Sequence, residues 1–280
     1  MKRTSVIALL LLIIGIIGIA FSFKSVYQPE EITKTESIHS EGIENLNILT
    51  NNTKIEVLST NAADITAELL TKNKKNELLT KTQDSTLYIE VKDKRRSFIN
   101  LDFFSFGTTL TVYVPKKVYD SLQVESDNGR INVEKIQAND VNVKTDNGRI
   151  ELDYIESFTV TGKTSNGRIS MKDIISSKIN VNSSNGKIIL NHVEGEIYGR
   201  TSNGAIELVA KDLDRPIELE TSNGKINIQT EQEPTNVTFD VRVDNGKVRI
   251  FGESNWDAII GNGENLIKLK TNNGAITVTK

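Results

Sequence analysis

The sequence contains no cysteine, which excludes disulfides, thiolate metal sites and a cysteine nucleophile. Histidine is nearly as scarce. His39 and His192 are the only two, too few for a histidine-based triad or zinc site without unusual help. A net charge of −3 gives no global reason to expect a nucleic acid as partner. Catalytic signatures are missing as well: no H-E-x-x-H, no G-x-S-x-G, no glycine-rich phosphate loop and no calcium nonapeptide. No cofactor is expected. The fold must therefore hold by packing and backbone ladders, for which 37% apolar residues suffice.

Long hydrophobic runs are also rare, and the single one lies at the start. Lys2 and Arg3 precede an uncharged stretch from Thr4 to Phe23. As a helix it spans about 28 Å, close to the hydrocarbon thickness, and it exceeds the roughly 7–15 residues of a signal-peptide core. The expectation is a transmembrane signal anchor at 5–23, with a cleaved signal peptide ending near Ala20 and Ser22 as the alternative. The basic residues keep the tail 1–4 in the cytoplasm and put the rest outside, in a single-pass protein of the cell membrane. Residues 24–42 carry Pro29, Glu30, Glu31, Glu36 and Glu41 without periodicity, and read as a solvated tether.

From residue 43 onward alternation predicts strands at 43–49, 54–58, 65–70, 85–91, 108–114 and 121–125, with a loop tip at 72–75. Residues 43–120 read as an amino-terminal β cap region. Inside it, Thr50-Asn51-Asn52-Thr53-Lys54-Ile55 looks like a degenerate copy of a phrase that recurs through the rest of the chain.

Thr164-Ser165-Asn166-Gly167-Arg168-Ile169 is the clearest form of that phrase. Asn-Gly recurs at Asn128, Asn147, Asn166, Asn185, Asn203, Asn223, Asn245 and Asn273, spaced by 18 to 28 residues. Alignment on the asparagine produces columns. Three residues after it stand Ile131, Ile150, Ile169, Ile188, Ile206, Ile226, Val248 and Ile276; six before it stand Leu122, Val141, Val160, Ile179, Ile197, Ile217, Phe239 and Ile267. Ile136, Ile155, Ile174 and Val193 mark a third side. Asn-Gly is also the strongest short hairpin signal, because both residues accept positive φ. Hairpins have no reason to keep a period of 19, whereas a coil must hold its perimeter to stack on its neighbour at about 4.8 Å. The predicted fold is all-β: a β-solenoid (parallel β-helix) of about eight coils of 18–28 residues over 121–280, with hairpin arrays, including a propeller, as the alternative.

Two features are candidates for binding. Arg130, Arg149, Arg168 and Lys187 stand two residues after their asparagines, as do Lys225 and Lys247, while Ala205 and Ala275 break the column. Lys144, Lys163 and Arg200 lie on the adjoining strand. Stacked, they form a basic stripe for an anionic wall polymer, lipid surface or acidic glycan, or an ordinary solvated face. The second feature is a loop in which Lys94, Arg95 and Arg96 lead into Phe98, Phe103, Phe104 and Phe106. It reads as a membrane or partner contact, or as a plug over the open end of the array. Asp127, Asp146 and Asp244, replaced by Ser165, Ser184 and Ser202 in the middle coils, read as side chains that bond the turn backbone, with a cation or acid/base site as the alternative. Trp256, the only tryptophan, reads as the anchor of a bulged loop on the last coils, with a sugar platform as the alternative.

The segment from Leu110 to Lys117 (LTVYVPKK), leading to Leu122-Gln123-Val124, the repeats and the closing stretch 271–278 together resemble the bacterial β-strand-repeat family of uncharacterised domains labelled putative adhesins, in particular a membrane-anchored member tied to cell-envelope stress. The resemblance implies an extracytoplasmic β-helix on an anchor and transfers no catalytic residue. The expected function is a non-catalytic, membrane-anchored interaction module, an adhesin or envelope-stress accessory, with a wall polymer, lipid or envelope protein as partner. The alternative is a carbohydrate-active β-helix enzyme, a polysaccharide lyase or hydrolase.

Overall fold

The computed structural model describes residues 13, 15, 30–93, 107–253 and 257–280. Apart from residues 13 and 15, the expected anchor lies outside the described residues, as do Arg95, Arg96, Phe98, Phe103, Phe104, Phe106 and Trp256. Among the described residues no helix is long and apolar enough to cross a membrane.

Among the described residues from 30 onward, all regular structure is β. The amino-terminal part comprises β1 (Ile32–Ile38), β2 (Asn45–Thr50), β3 (Lys54–Thr60), β4 (Ile65–Thr71), β5 (Asn76–Gln83), β6 (Thr86–Asp93) and β7 (Thr109–Pro115). The repeats supply β8 (Val118–Ser126), β9 (Ile131–Glu134), β10 (Gln137–Thr145), β11 (Ile150–Thr164), β12 (Ile169–Ser183), β13 (Ile188–Thr201), β14 (Ile206–Ala210), β15 (Ile217–Asn223) and β16 (Ile226–Thr230). The closing part contains β17 (Val237–Asn245), β18 (Val248–Ile250), β19 (Asp257–Ile260), β20 (Asn265–Asn273) and β21 (Ile276–Thr279).

Each coil has a strand that leads into the Asn-Gly corner and one that leaves it. Leading strands stack in parallel in the order β6, β2, β8, β10, β11, β12, β13, β15, β20, β17. Leaving strands stack as β7, β3, β9, β11, β12, β13, β14, β16, β21, β18. Parallel neighbours one repeat apart are incompatible with hairpins closed at Asn-Gly, so the unclosed sheet is solenoid-like, as the constant period implies. The aligned apolar columns all point inward. Ile131, Ile150, Ile169, Ile188, Ile206, Ile226 and Ile276 are fully buried, and so are Leu122, Val141, Val160, Ile179 and Ile197.

Two features of the order depart from the sequence reading. Residues 45–60, assigned to the cap, form a complete coil within the stack, with β6 and β7 beyond it. At the other end the coil of Asn273 lies between those of Asn223 and Asn245, so the last repeat in sequence is the penultimate one in space. Antiparallel strands close both ends: β5 on β6, β4 on β7 and β1 on β4 at one, β19 on β17 at the other. The Phe239 and Phe251 rings, 6.4 Å apart and edge to face, pack beneath β19's end of the stack. Part of the expected tether is therefore not tether. Residues 32–38 are β1, whose β-branched residues suit an edge strand even though none is buried. β5, also unexpected from the sequence, forms the outer half of a hairpin with β6.

The glycine of the repeat is not there for positive φ. Gly129, Gly148, Gly167, Gly186, Gly204, Gly224, Gly246 and Gly274 all lie outside the left-handed region. A Cβ on Gly167 would stand 1.7 Å from the Gly148 carbonyl oxygen, so the coils approach too closely there for any side chain. Left-handed residues mark instead the second corner, at Lys135, Tyr154, Asp173 and His192, with φ of 51–58°. The one-residue contraction between Asn185 and Asn203 is absorbed beside that corner. The β12–β13 register shifts between Ile175 and Lys178, and Gly195, with φ of 112°, faces the Ser176 carbonyl where a Cβ would clash.

Candidate functional site

The Asn-Gly corner is built from two ladders. Each asparagine donates from Nδ2 to Oδ1 of the next in one direction: Asn128 to Asn52, Asn147 to Asn128, Asn166 to Asn147, Asn185 to Asn166, Asn203 to Asn185, Asn223 to Asn203, Asn273 to Asn223 and Asn245 to Asn273, at 2.7–3.1 Å. The degenerate copy at Asn52 thus completes the series. Beneath it, the hydroxyls of Thr145, Thr164, Ser183, Thr201, Thr221 and Thr271 donate to the preceding coil's glycine carbonyl at 2.9–3.4 Å. These bonds satisfy carbonyls that the corner would otherwise bury without partners. Backbone amides at the turn bond the neighbouring coil, for example Asn147 N to Asp127 O at 2.8 Å. Asp127, Asp146 and Asp244, like Ser165, Ser184 and Ser202, make no side-chain hydrogen bond among the described residues. The turn role expected for them is taken by these coil-to-coil ladders.

One flank of this corner carries the basic column. Register places Lys54, Arg130, Arg149, Arg168 and Lys187 on consecutive coils, followed by Ala205, Lys225, Ala275 and Lys247. Five cations therefore follow one another without a break, each about 4.8 Å from the next along the backbone. They alternate in partnership. Lys54 pairs with Glu56 at 2.6 Å, Arg149 with Glu151 at 3.3 Å and Lys187 with Glu207 at 2.6 Å. Arg130 and Arg168 have no ion pair among the described residues. Lys54 was missed in the sequence, although it holds the same place two residues after Asn52.

The other flank is less uniformly basic. Lys144 and Lys163 are in register, but Lys144 is bound to Glu125 at 2.6 Å, and that hydrogen bond raises its pKa above the ordinary lysine value. Arg200 pairs with Glu220 at 2.6 Å, and Glu220 is also held by Lys270 at 3.2 Å. Lys163 alone of the three has no ion pair among the described residues. A shallow groove of about 420 Å³ runs over this flank between Lys163, Asn182, Tyr198 and Arg200.

Carboxylates gather elsewhere, on the leaving strands near the second corner. Burial first, then Glu151, pushes Asp153 above the usual carboxylate range; Lys172 opposes this, and Glu134 and Asp173 add to it. Among the described residues no group of three or more histidine, aspartate or glutamate side chains is placed to hold a metal ion.

No curated protein matches the chain. Among solved structures it is similar to a putative lipid binding protein from Parabacteroides distasonis, 15% identical with a TM-score of 0.50, the match covering 90% of this chain and 98% of that one. It is also similar to a putative adhesin from the same organism, 9% identical with a TM-score of 0.50, over 89% and 98% of the two chains. These likenesses agree with the parallel stacking of the coils. The Toastrack DUF4097 family matches residues 43–279, from just before β2 to the end of β21, and the chain belongs to that family.

Proposed function

We propose that the chain is a non-catalytic interaction module, held at the outer face of the cell membrane by its amino-terminal run, whose basic corner grips an anionic polymer of the envelope. The carrying observation is the run of Lys54, Arg130, Arg149, Arg168 and Lys187, in which Arg130 and Arg168 have no ion pair among the described residues and stand two coils apart, about 10 Å at the strand spacing. Adjacent like charges at that spacing repel by about 1 kcal/mol even in water. A polymer with regularly placed phosphates or carboxylates relieves this repulsion while filling the two open guanidinium sites, each able to bind an oxyanion bidentately. The adhesin-like β fold of the structural neighbours is in keeping with a surface role, and envelope stress is the setting that the family resemblance suggests.

The test is retention of the fragment from residue 25 on wall polysaccharide, teichoic acid and anionic vesicles at low and high salt. Salt-sensitive retention, lost when Arg130→Gln and Arg168→Gln are combined but largely kept in Arg149→Gln, is the expected result. Retention unchanged in the double variant removes the column as the binding surface. No retention on any of the three directs attention to a protein partner, with the phenylalanine-rich segment 98–106 the first place to look.

A carbohydrate-active enzyme is the second reading, and the raised pKa of Asp153 among neighbouring carboxylates is what favours it. Release of reducing or unsaturated ends from an acidic polysaccharide, abolished by Asp153→Asn, is the result that would establish it in place of the first.

A further inference from the structure

Where the second corner meets the amino-terminal cap, the surface opens into a groove of about 280 Å³. Its walls include Ser59 near the end of β3, Lys116 and Lys117 on the link from β7 to β8, and Lys135 and Tyr154 from the left-handed column. Three features of this groove are unspent by the fold. The first is Ser59 Oγ, which is buried and has no hydrogen-bond partner among the described residues. Native structures rarely leave such a hydroxyl alone, and it can both donate and accept.

The second is a division of labour between adjacent lysines. The Lys117 ammonium donates to the carbonyl oxygens of Ser40 and Ile43 at 3.0 and 2.6 Å and lies 5.0 Å from the centre of the Tyr119 ring. It pins the wall. Lys116 is exposed and has no ion pair among the described residues, so its charge is available. The third is Tyr154, 48% exposed and held at φ of 56°, a conformation that bulky residues seldom adopt. Lys135 and Lys172 both lie 5.8 Å from its ring centre. Against these cations stand Glu156, which lines the groove and accepts from Gln137 Nε2 at 2.7 Å, and Glu134, which holds Lys135 at 2.6 Å.

An exposed aromatic ring and a free ammonium around one small groove suit a polar ring that bears a negative group, while Ser59 Oγ stays enclosed behind the wall. We infer that this groove binds a single acidic saccharide unit. The sugar ring lies against Tyr154, and the carboxylate or phosphate is met by Lys116 with Lys135 beside it. The volume falls just below the roughly 300–1,000 Å³ of drug-sized sites, which leaves room for one such unit. The groove lies at the second corner and the basic column at the first, so this inference does not depend on the column.

The experiment is a calorimetric titration of the full chain, in a detergent without a sugar headgroup, with glucuronic acid and glucose 6-phosphate as probes and with glucose and inorganic phosphate as controls. Both acidic sugars should bind, and each control should bind at least about tenfold more weakly. Lys116→Gln and Tyr154→Ala should each weaken the acidic sugars by about tenfold or more. The Arg130→Gln, Arg168→Gln double variant should keep full affinity, which separates failure of the groove from failure of the column. Absence of binding by both acidic sugars overturns the inference. So does inorganic phosphate binding as tightly as glucose 6-phosphate, and so does affinity that survives both Lys116→Gln and Tyr154→Ala.

Discussion

Gly167→Ala, in the middle of the stack, tests why the repeat contains glycine. The added Cβ would stand 1.7 Å from the Gly148 carbonyl oxygen and 2.7 Å from its carbon, both backbone atoms of the adjoining coil. Ordinary contact begins near 3.4 Å, so the two coils must separate by more than an ångström at this corner. The bonds stretched are Thr164 Oγ1 to Gly148 O at 3.2 Å, Asn166 N to Asp146 O at 2.8 Å and Asn166 Nδ2 to Asn147 Oδ1 at 2.7 Å. At about 1 kcal/mol net for each bond, with about 1–3 kcal/mol for crowding a packed site, the loss is about 4–6 kcal/mol. A glycine required only for positive φ would lose about 1–2 kcal/mol on the same change. Urea unfolding followed by circular dichroism measures the difference, and Gly167→Asn sharpens it. Asparagine tolerates positive φ and would recover stability in a hairpin turn, whereas here it carries the same Cβ into the same carbonyl. A loss below about 2 kcal/mol, or an asparagine variant more stable than the alanine one, refutes the close-approach argument.

Thr221→Val keeps the shape of a buried side chain but removes the 2.9 Å bond to Gly204 O, and should lower unfolding free energy by about 1–2 kcal/mol in the same assay. His39 is hydrogen-bonded to Asp64 at 2.9 Å and Glu41 at 3.3 Å, and these bonds, Asp64 first, raise its pKa above 6.5. Its contribution is therefore fully present below pH 6.5 and is lost as pH rises through the folded value. Proton NMR titration of the ring should show the raised pKa, returning toward 6.5 in Asp64→Asn. Asp214 has the opposite sign. Burial pushes its pKa up, but hydrogen bonds from Asn236 and Thr235 outweigh burial and hold it below 3.8, so its contribution is present above that value and lost on acidification through the folded pKa. Asp214→Ala should speed amide hydrogen exchange at Thr235 and Asn236, whose N–H groups it accepts at 2.8 and 2.9 Å, without affecting exchange at Ile169.

The columns of Ile131 to Ile276 were readable because one residue type recurs at one distance from a fixed marker. That pattern was enough to choose stacked coils over hairpins. The place of the Asn273 coil was not readable, since nothing in a list of spacings says that spatial order departs from chain order. The second corner was hidden for another reason. Its left-handed positions are filled by Lys135, Tyr154, Asp173 and His192, which share a backbone conformation but no composition, and so leave no column to align. The basic column was legible from Arg130 to Lys187, yet its alternation of paired and open cations was not. Glu207 reaches Lys187 from the next coil, a contact that sequence distance conceals. The groove at Ser59 and Lys116 joins segments more than fifty residues apart, and no local motif announces it.

The interleaving of the Asn223, Asn273 and Asn245 coils changes how this end of the molecule can come apart. In a simple stack the final coil is a free tail, and each residue released gains the full freedom of an open chain. Here the outermost coil, β17 with β18, belongs to a segment whose two ends stay fastened, through β16 on one side and β20 on the other. Whatever lifts away is a closed loop, whose residues gain the freedom of an open chain less a closure penalty that grows as the logarithm of its length. Opening from this end is thereby made harder without any added contact. Proteolytic nicking should accordingly begin in the interior of the chain, around 231–264, while β20 and β21 stay fastened to β15 and β16.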